Sequence, residues 1–274
     1  MNNFLIIDSH AHVFPTKIAN KAVKAIGEFY GIPMTHDGST ASLIASGSKI
    51  GTRHYVVHST ATHPEQVASI NKYIHMKCLQ HSEFIGFGTL HPDLDDFESE
   101  LLHIEKLGLK GIKLHPDFQE FSLDSPKAMD MFAAIAEFRS RLPVLVHLGD
   151  ARLDTSRPSR LARVLDRYPT ILAIGAHLGG YTAWEEGLEL LAGRSNLYLD
   201  TSSTLPFIRP ELAVRIIRTH GADNILFGSD YPMWDHSEEL DRFLSLPLTG
   251  TEQAQILGRN AARLFGLPPT TPGL

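Results

Sequence analysis

LIIDSHAH (residues 5–12) starts as an aliphatic run and ends on His10 and His12. Four later stretches repeat the form: GIKLHP (111–116), PVLVHLGD (143–150), LAIGAHLGG (172–180) and ILFGSDYP (225–232). They bring Lys113 with His115, then His147, His177 and Asp230, to the ends of apolar runs. A parallel β/α barrel carries its chemistry at the C-terminal tips of its strands, so such runs read as barrel strands with functional tips. Imidazoles and carboxylates gathered there are the donors a divalent metal takes.

Between these runs lie longer helix-patterned segments, the alternation expected of repeated βα units. Strand candidates are Phe4–His10, His54–Ser59, Phe84–Leu90, Gly111–His115, Val144–His147, Ile171–His177, Leu197–Thr201 and Ile225–Ser229. Their tips fall roughly 25 to 45 residues apart, about one βα unit. Eight such units predict an α/β fold of the (β/α)8 TIM-barrel class over residues 1–274 as a single domain. Apolar spacings of three and four predict helices over Pro64–Gln80, Asp95–Leu107, Pro126–Arg141 and Glu252–Phe265, with Ser125 as a cap before Pro126. Residues 31–51, containing HDGS and SGS, are expected to form an irregular insertion after the first strand and a lid. Residues 268–274 (PPTTPGL) are expected to be a loose tail.

The chain has 274 residues, 43% hydrophobic and 20% charged, enough to bury a large core. A net charge of −6 argues against a nucleic-acid or anionic-membrane binder, which would carry a basic patch. The single cysteine, Cys78, excludes an internal disulfide framework, fits a reducing compartment and reads as a buried structural thiol. No signal-peptide pattern or membrane-length apolar run is present, so the expected location is cytoplasmic. The expected partner is a small-molecule substrate, and a homo-oligomer is compatible with the sequence.

Side chains alternate across a strand, so phase sorts them. With Ile112 and Leu114 facing the helices, Lys113 and His115 face inward; the same count turns Leu145 and His147 inward and puts Asp8, His10 and His12 in phase. The His10-Ala-His12 pair spans about 7 Å of strand, close enough to share an ion. Taken singly, His147 or His177 reads as an interior histidine and Asp230 as a turn cap. Jointly they resist that reading, because a buried carboxylate among imidazoles needs a cation or proton to compensate it.

The set DSHAH, GIKLHP, VHLGD, AHLGG, FGSDYP and LGRNAARLFGL, in this order and over nearly the whole chain, resembles the amidohydrolase superfamily. The similar branch is the one with aminocarboxymuconate-semialdehyde decarboxylase and related metal-dependent barrel hydrolases. The resemblance implies that His10, His12, His147 and Asp230 bind one divalent metal, zinc or alternatively manganese. It implies that His177 and Asp230 are catalytic, with His177 beside the metal rather than on it. Lys113 occupies the position where two-metal members use a carbamylated lysine, so Lys113 or His115 would support a second metal or contact substrate. Arg152 and Trp234 are candidates for the substrate wall, with a surface ion pair as the plainer reading of Arg152.

Three imidazoles and one carboxylate leave a zinc site near +1, which would lower the pKa of a bound water toward about 7. Asp230 would take its proton and His177 would stabilise the oxyanion and protonate the leaving group. The implied reaction is hydrolysis of an amide, lactone or ester of a small molecule. Non-oxidative decarboxylation of an aromatic or unsaturated acid uses the same residues, and a non-enzymatic metal-binding scaffold is the third reading.

Overall fold

In the computed structural model, which describes residues 4–268, the strands are β1 (Ile6–His12), β2 (Thr52–His58), β3 (Phe84–Thr89), β4 (Gly111–Leu114), β5 (Val144–Val146), β6 (Ala173–Gly175), β7 (Leu197–Asp200) and β8 (Ile225–Leu226). They are ordered β1 to β8 in one eight-stranded sheet and alternate with helices, which is the (β/α)8 class. The chain divides into two compact units, one from the chain up to Val57 and from Asp200 onward, the other from His58–Leu199. The expected tail lies outside the described residues apart from Pro268.

In the first unit, β1 carries IIDSHAH and stays buried until His12. Its amides and carbonyls meet the segment around β8: Ser9 N donates to Phe227 O at 2.8 Å, Asp230 N to His10 O at 2.9 Å and His12 N to Tyr231 O at 2.7 Å. β8 ends at Leu226 because the next amide, Phe227 N, donates to Ile256 O in the C-terminal helical segment. That segment runs through Gly250–Ala254, a π-turn at Gln255–Arg259 and Asn260–Leu264, and Thr249 with Glu252 closes a capping box at its start. Asn260 Nδ2 donates to Ala222 O and Ile225 O, each at 2.7 Å, fixing the entry to β8.

After β1 come α1 (Thr16–Tyr30), ended by left-handed Gly31, and α2 (Thr40–Ser48), capped by Ser39. Within the insertion read from sequence as irregular, residues 40–48 are thus a helix. Leu43, Ser46 and Gly47 are its buried face. The segment is tied down at several points. His36 N donates to Pro232 O, the Tyr231 hydroxyl to Ser39 O at 2.8 Å, and Lys49 Nζ to Asp235 at 2.8 Å. Lid motion would have to break these bonds.

In the second unit β3 to β7 pair in parallel, in a register that aligns Thr89 with Lys113, Lys113 with Leu145, Leu145 with Ile174 and Ile174 with Tyr198. Ile112, Leu114, Val144, Leu145, Val146 and Ile174 are all fully buried, which explains the unbroken apolar runs of these strands. The unit's longer helices are α3 (Val67–Gln80), α4 (Phe97–Lys106), α5 (Pro126–Glu137) and α6 (Pro158–Arg167). Asp96 caps α4 by accepting from Ser99 N at 2.9 Å. Pro126 occupies the first turn of α5, but the Ser125 side chain makes no cap bond, a correction to the sequence reading. Cys78 is half-buried on α3, and burial pushes its thiol up to about 11, as suits an unreactive structural group.

A Cβ on Gly47 would collide with the Tyr55 hydroxyl and ring, and Tyr55 is 2% exposed. Gly47→Ala should therefore destabilise the fold by about 1–3 kcal/mol. Thermal unfolding beside Gly250→Ala, where nothing stands within 4 Å, checks this, the control being expected to stay close to wild type.

Candidate active site

His10 Nε2, His12 Nε2 and Asp230 Oδ1 form a triangle with all three edges at 3.3 Å. Donor atoms about 2.0–2.1 Å from a tetrahedral ion stand about 3.3–3.4 Å apart, so the triangle already has the edge length of three ligand positions. Two imidazole nitrogens and a carboxylate oxygen are also the donor types zinc and manganese accept. The residues fit a divalent cation. Strand alternation places both imidazoles on one face of β1, and the bond from Asp230 N to His10 O brings the carboxylate to them.

His10 is oriented from behind. Its Nδ1 lies 2.9 Å from Asp200 Oδ2 and 3.0 Å from Ser202 Oγ, with Ser202 N donating to Asp200 Oδ1 at 3.0 Å. A carboxylate on Nδ1 keeps the proton there and leaves the Nε2 lone pair for a cation, the usual support of a metal-binding histidine. Asp8, in the same strand and fully buried, accepts from His10 N, Ser229 N, Ser229 Oγ and His236 Nε2 at 2.6–3.1 Å. His236 Nδ1 in turn meets Ser46 Oγ at 2.8 Å.

Asp230 has φ 57° and Ser203 φ 47°, both left-handed and neither glycine. Ser203 Oγ donates to Asp230 Oδ2 at 2.5 Å and accepts from Trp234 Nε1 at 2.9 Å. The indole also meets the Phe207 ring at 5.9 Å and carries the Arg242 guanidinium 4.9 Å from its centroid. Arg242 binds Glu239, whose carboxyl is fully buried. Burial raises that carboxyl to about 8, outweighing the hydrogen bond from Arg242, and the charge of Asp230 adds to the rise.

The second unit gathers His115, Asp117, His147 and His177. His147 Nε2 lies 3.0 Å from Gly149 O and 3.2 Å from Asp117 Oδ2, and its Nδ1 lies 2.9 Å from His177 Nε2. Burial works against the Asp117 charge, but hydrogen bonds from His147, Thr155 and Ser156 hold the carboxyl below its usual range. Two acceptors on Nε2 place the His147 proton there, so Nδ1 accepts from His177 and is the one nitrogen a cation could use. The His115 and His147 rings stack at 3.9 Å and 7°. With Asp117 they form a group whose donor atoms all lie within 4.8 Å of one another, although the stacking keeps the two sets of ring lone pairs in separate planes.

Lys113 is fully buried on β4, and Arg152 makes a two-armed ion pair with Asp150 at 2.9 and 2.6 Å, the plainer of its two readings. His177 lies beyond β6, because His177 (φ 61°), Leu178 (φ 49°) and Gly179 (φ 82°) form a left-handed turn where the sequence reading extends the strand. Its carbonyl accepts from Trp184 Nε1 at 3.0 Å. The Gly149 backbone packs so closely on Tyr181 that a Cβ there would collide with it.

The sequence profile of the amidohydrolase family matches residues 7–267. The chain belongs to this family. No curated protein sequence matches it. Among solved structures, the fold is similar to 5-carboxyvanillate decarboxylase from Sphingomonas paucimobilis (16% identity, 97% of this chain and 100% of that one, TM-score 0.73). It is similar to a putative 2-pyrone-4,6-dicarboxylic acid hydrolase from Pseudomonas putida (18%, 98% and 100%, 0.70). It is also similar to a dihydroxybenzoic acid decarboxylase from Polaromonas with bound manganese (16%, 96% and 97%, 0.71). This amidohydrolase-family chain is therefore an enzyme of a superfamily that holds both hydrolases and decarboxylases. Among the described residues no helix is long and apolar enough to cross a membrane.

Sequence reasoning missed Asp200, Ser203 and Asp117. Asp200 had a signal: a carboxylate ending the run LYLD at a strand tip, where burial demands a partner. Ser203 had none, since its role depends on a left-handed backbone.

Glu239 binds its proton more tightly folded than unfolded, so its contribution is fully present below about 4.5 and is lost as pH rises toward about 8. Thermal midpoints between pH 5 and 8.5 should fall for wild type relative to Glu239→Gln, which keeps the neutral shape. Parallel curves would mean that Glu239 is ionised throughout.

Proposed function

We propose that the protein is a metal-dependent hydrolase acting on a C–N or C–O bond of a small molecule, an amide, lactone or ester. One divalent cation, zinc in our reading, is held by His10, His12 and Asp230, with His147 as a further ligand on the strength of the family resemblance. The observation that carries the proposal is the 3.3 Å triangle of lone-pair atoms. A bound cation would supply an activated water at neutral pH and polarise the substrate oxygen.

The chain's own groups do the rest. Asp200 holds the His10 proton on Nδ1, so that Nε2 stays a lone pair. Asp230 accepts the proton of the attacking water. His177 is the acid: with His147 Nδ1 given over to the cation, the proton on His177 Nε2 is released from its bond to His147 and is free for the leaving group. Lys113 and His115 remain candidates for substrate contact. Decarboxylation of an aromatic or unsaturated acid would use the same groups.

Elemental analysis of purified protein should find about one equivalent of transition metal. No metal, and no activity gained with zinc or manganese, would sink the proposal. A screen of amides, lactones, esters and aromatic acids that also follows carbon dioxide separates the reactions, its release marking the enzyme as a decarboxylase.

His177→Asn should keep the metal and lower turnover by roughly 10²–10⁴-fold, the range for losing an acid–base group. His147→Asn should lose much of the metal, and Asp200→Asn should bind it about 10–100-fold more weakly in a chelator competition. Equal loss of metal from the two histidine variants would make His177 a ligand.

A further inference from the structure

Asp230 has two oxygens in different surroundings. Oδ1 lies 3.3 Å from both first-strand imidazoles, while Oδ2 receives the Ser203 hydroxyl at 2.5 Å. The direction of that bond follows from donor chemistry. An indole N–H only donates, so Trp234 Nε1, 2.9 Å from Ser203 Oγ, uses the serine oxygen as an acceptor. The carboxylate only accepts, so the serine proton points to Oδ2. The remaining neighbour of the hydroxyl, Met233 Sδ at 3.3 Å, is a weak acceptor and does not compete.

The backbone is bent to make this contact. Ser203 is 3% exposed with φ 47°, and Asp230 has φ 57°. Non-glycine residues held there are strained and persist only where the surroundings impose them. The indole that feeds the serine is itself held, edge-on to Phe207 and beneath Arg242.

We infer that Ser203 and Trp234 are positioning residues: a one-way relay from indole to hydroxyl to Oδ2 makes Asp230 offer a single oxygen, Oδ1, to the cation. The inference rests on the metal reading above. It gives Trp234 a task different from the substrate wall expected from sequence, because its only polar group is spent on Ser203.

The test uses full-length protein with Co²⁺ as the probe, in wild type, Ser203→Gly and Trp234→Phe. Glycine removes the hydroxyl with its two hydrogen bonds but accepts φ 47° without strain, so the opposing effects should leave the metal-free Ser203→Gly protein unfolding close to the wild-type temperature. The same variant should bind Co²⁺ about 10–100-fold more weakly, the usual effect of removing a group that orients a ligand. Its visible absorption should weaken as the freed carboxylate turns both oxygens to the ion. Trp234→Phe keeps the ring, loses the N–H and should shift affinity and spectrum the same way by less.

Wild-type affinity and spectrum in both variants would overturn the relay while leaving the metal site standing. Lower affinity with an unchanged spectrum and an equally lowered metal-free melting point would assign Ser203 a structural role and also overturn it. Wild-type protein that takes up no Co²⁺ would defeat the metal reading itself, and the relay with it. Should Ser203→Gly fail to fold, Trp234→Phe alone decides.

Discussion

The join between β1 and the turn after β8 depends on a carboxylate sealed from solvent. Asp8 is fully buried, and its two oxygens receive the amides of His10 and Ser229, the Ser229 hydroxyl and the His236 ring. A buried carboxylate is tolerable only when its acceptor sites are filled, so the chain must bring all four donors to it. Meeting that demand fixes the turn after β8 against β1, with His10 itself one of the donors and Asp230 the residue after Ser229. Through His236 and Ser46 the same requirement reaches α2.

The two units handle buried charge differently. Around the first-strand histidines, Asp8, Asp200 and Asp230 accept from hydroxyls, amides and imidazoles. Such donors solvate a carboxylate without removing its charge. In the second unit Asp117 is equally buried, but its negative charge is directed along His147 toward His177. One arrangement gathers lone pairs. The other lines up donors and acceptors, as acid–base work requires.

The eight strands and the polar character of their tips were legible because buried parallel strands write themselves as aliphatic runs. Phase put His10 and His12 on one face, and the structure brings their nitrogens to 3.3 Å. The reading weakened wherever backbone chirality took over. Nothing in AHLGG announces that His177 leaves the strand through a left-handed turn. Nothing in DTSST announces that Ser203 does the same to reach a carboxylate distant in sequence. The helix at Thr40–Ser48 was obscured by glycine and serine, which local pattern assigns to loops and which packing on Tyr55 overrides. Asp200 and Asp117 were visible as letters, but their partners lie far along the chain.

The crowding of Gly149 against Tyr181 bears on how this enzyme could diversify. The backbone after β5 passes so close to the backbone after β6 that no side chain fits between them, and Tyr181 N donates to Leu148 O at 2.7 Å. Loops at barrel tips are commonly regarded as interchangeable parts. These two form a single part. A transplant of either one alone would place a Cβ, or a differently shaped chain, where its neighbour already runs, so new specificities at this edge should arise by replacing both loops together.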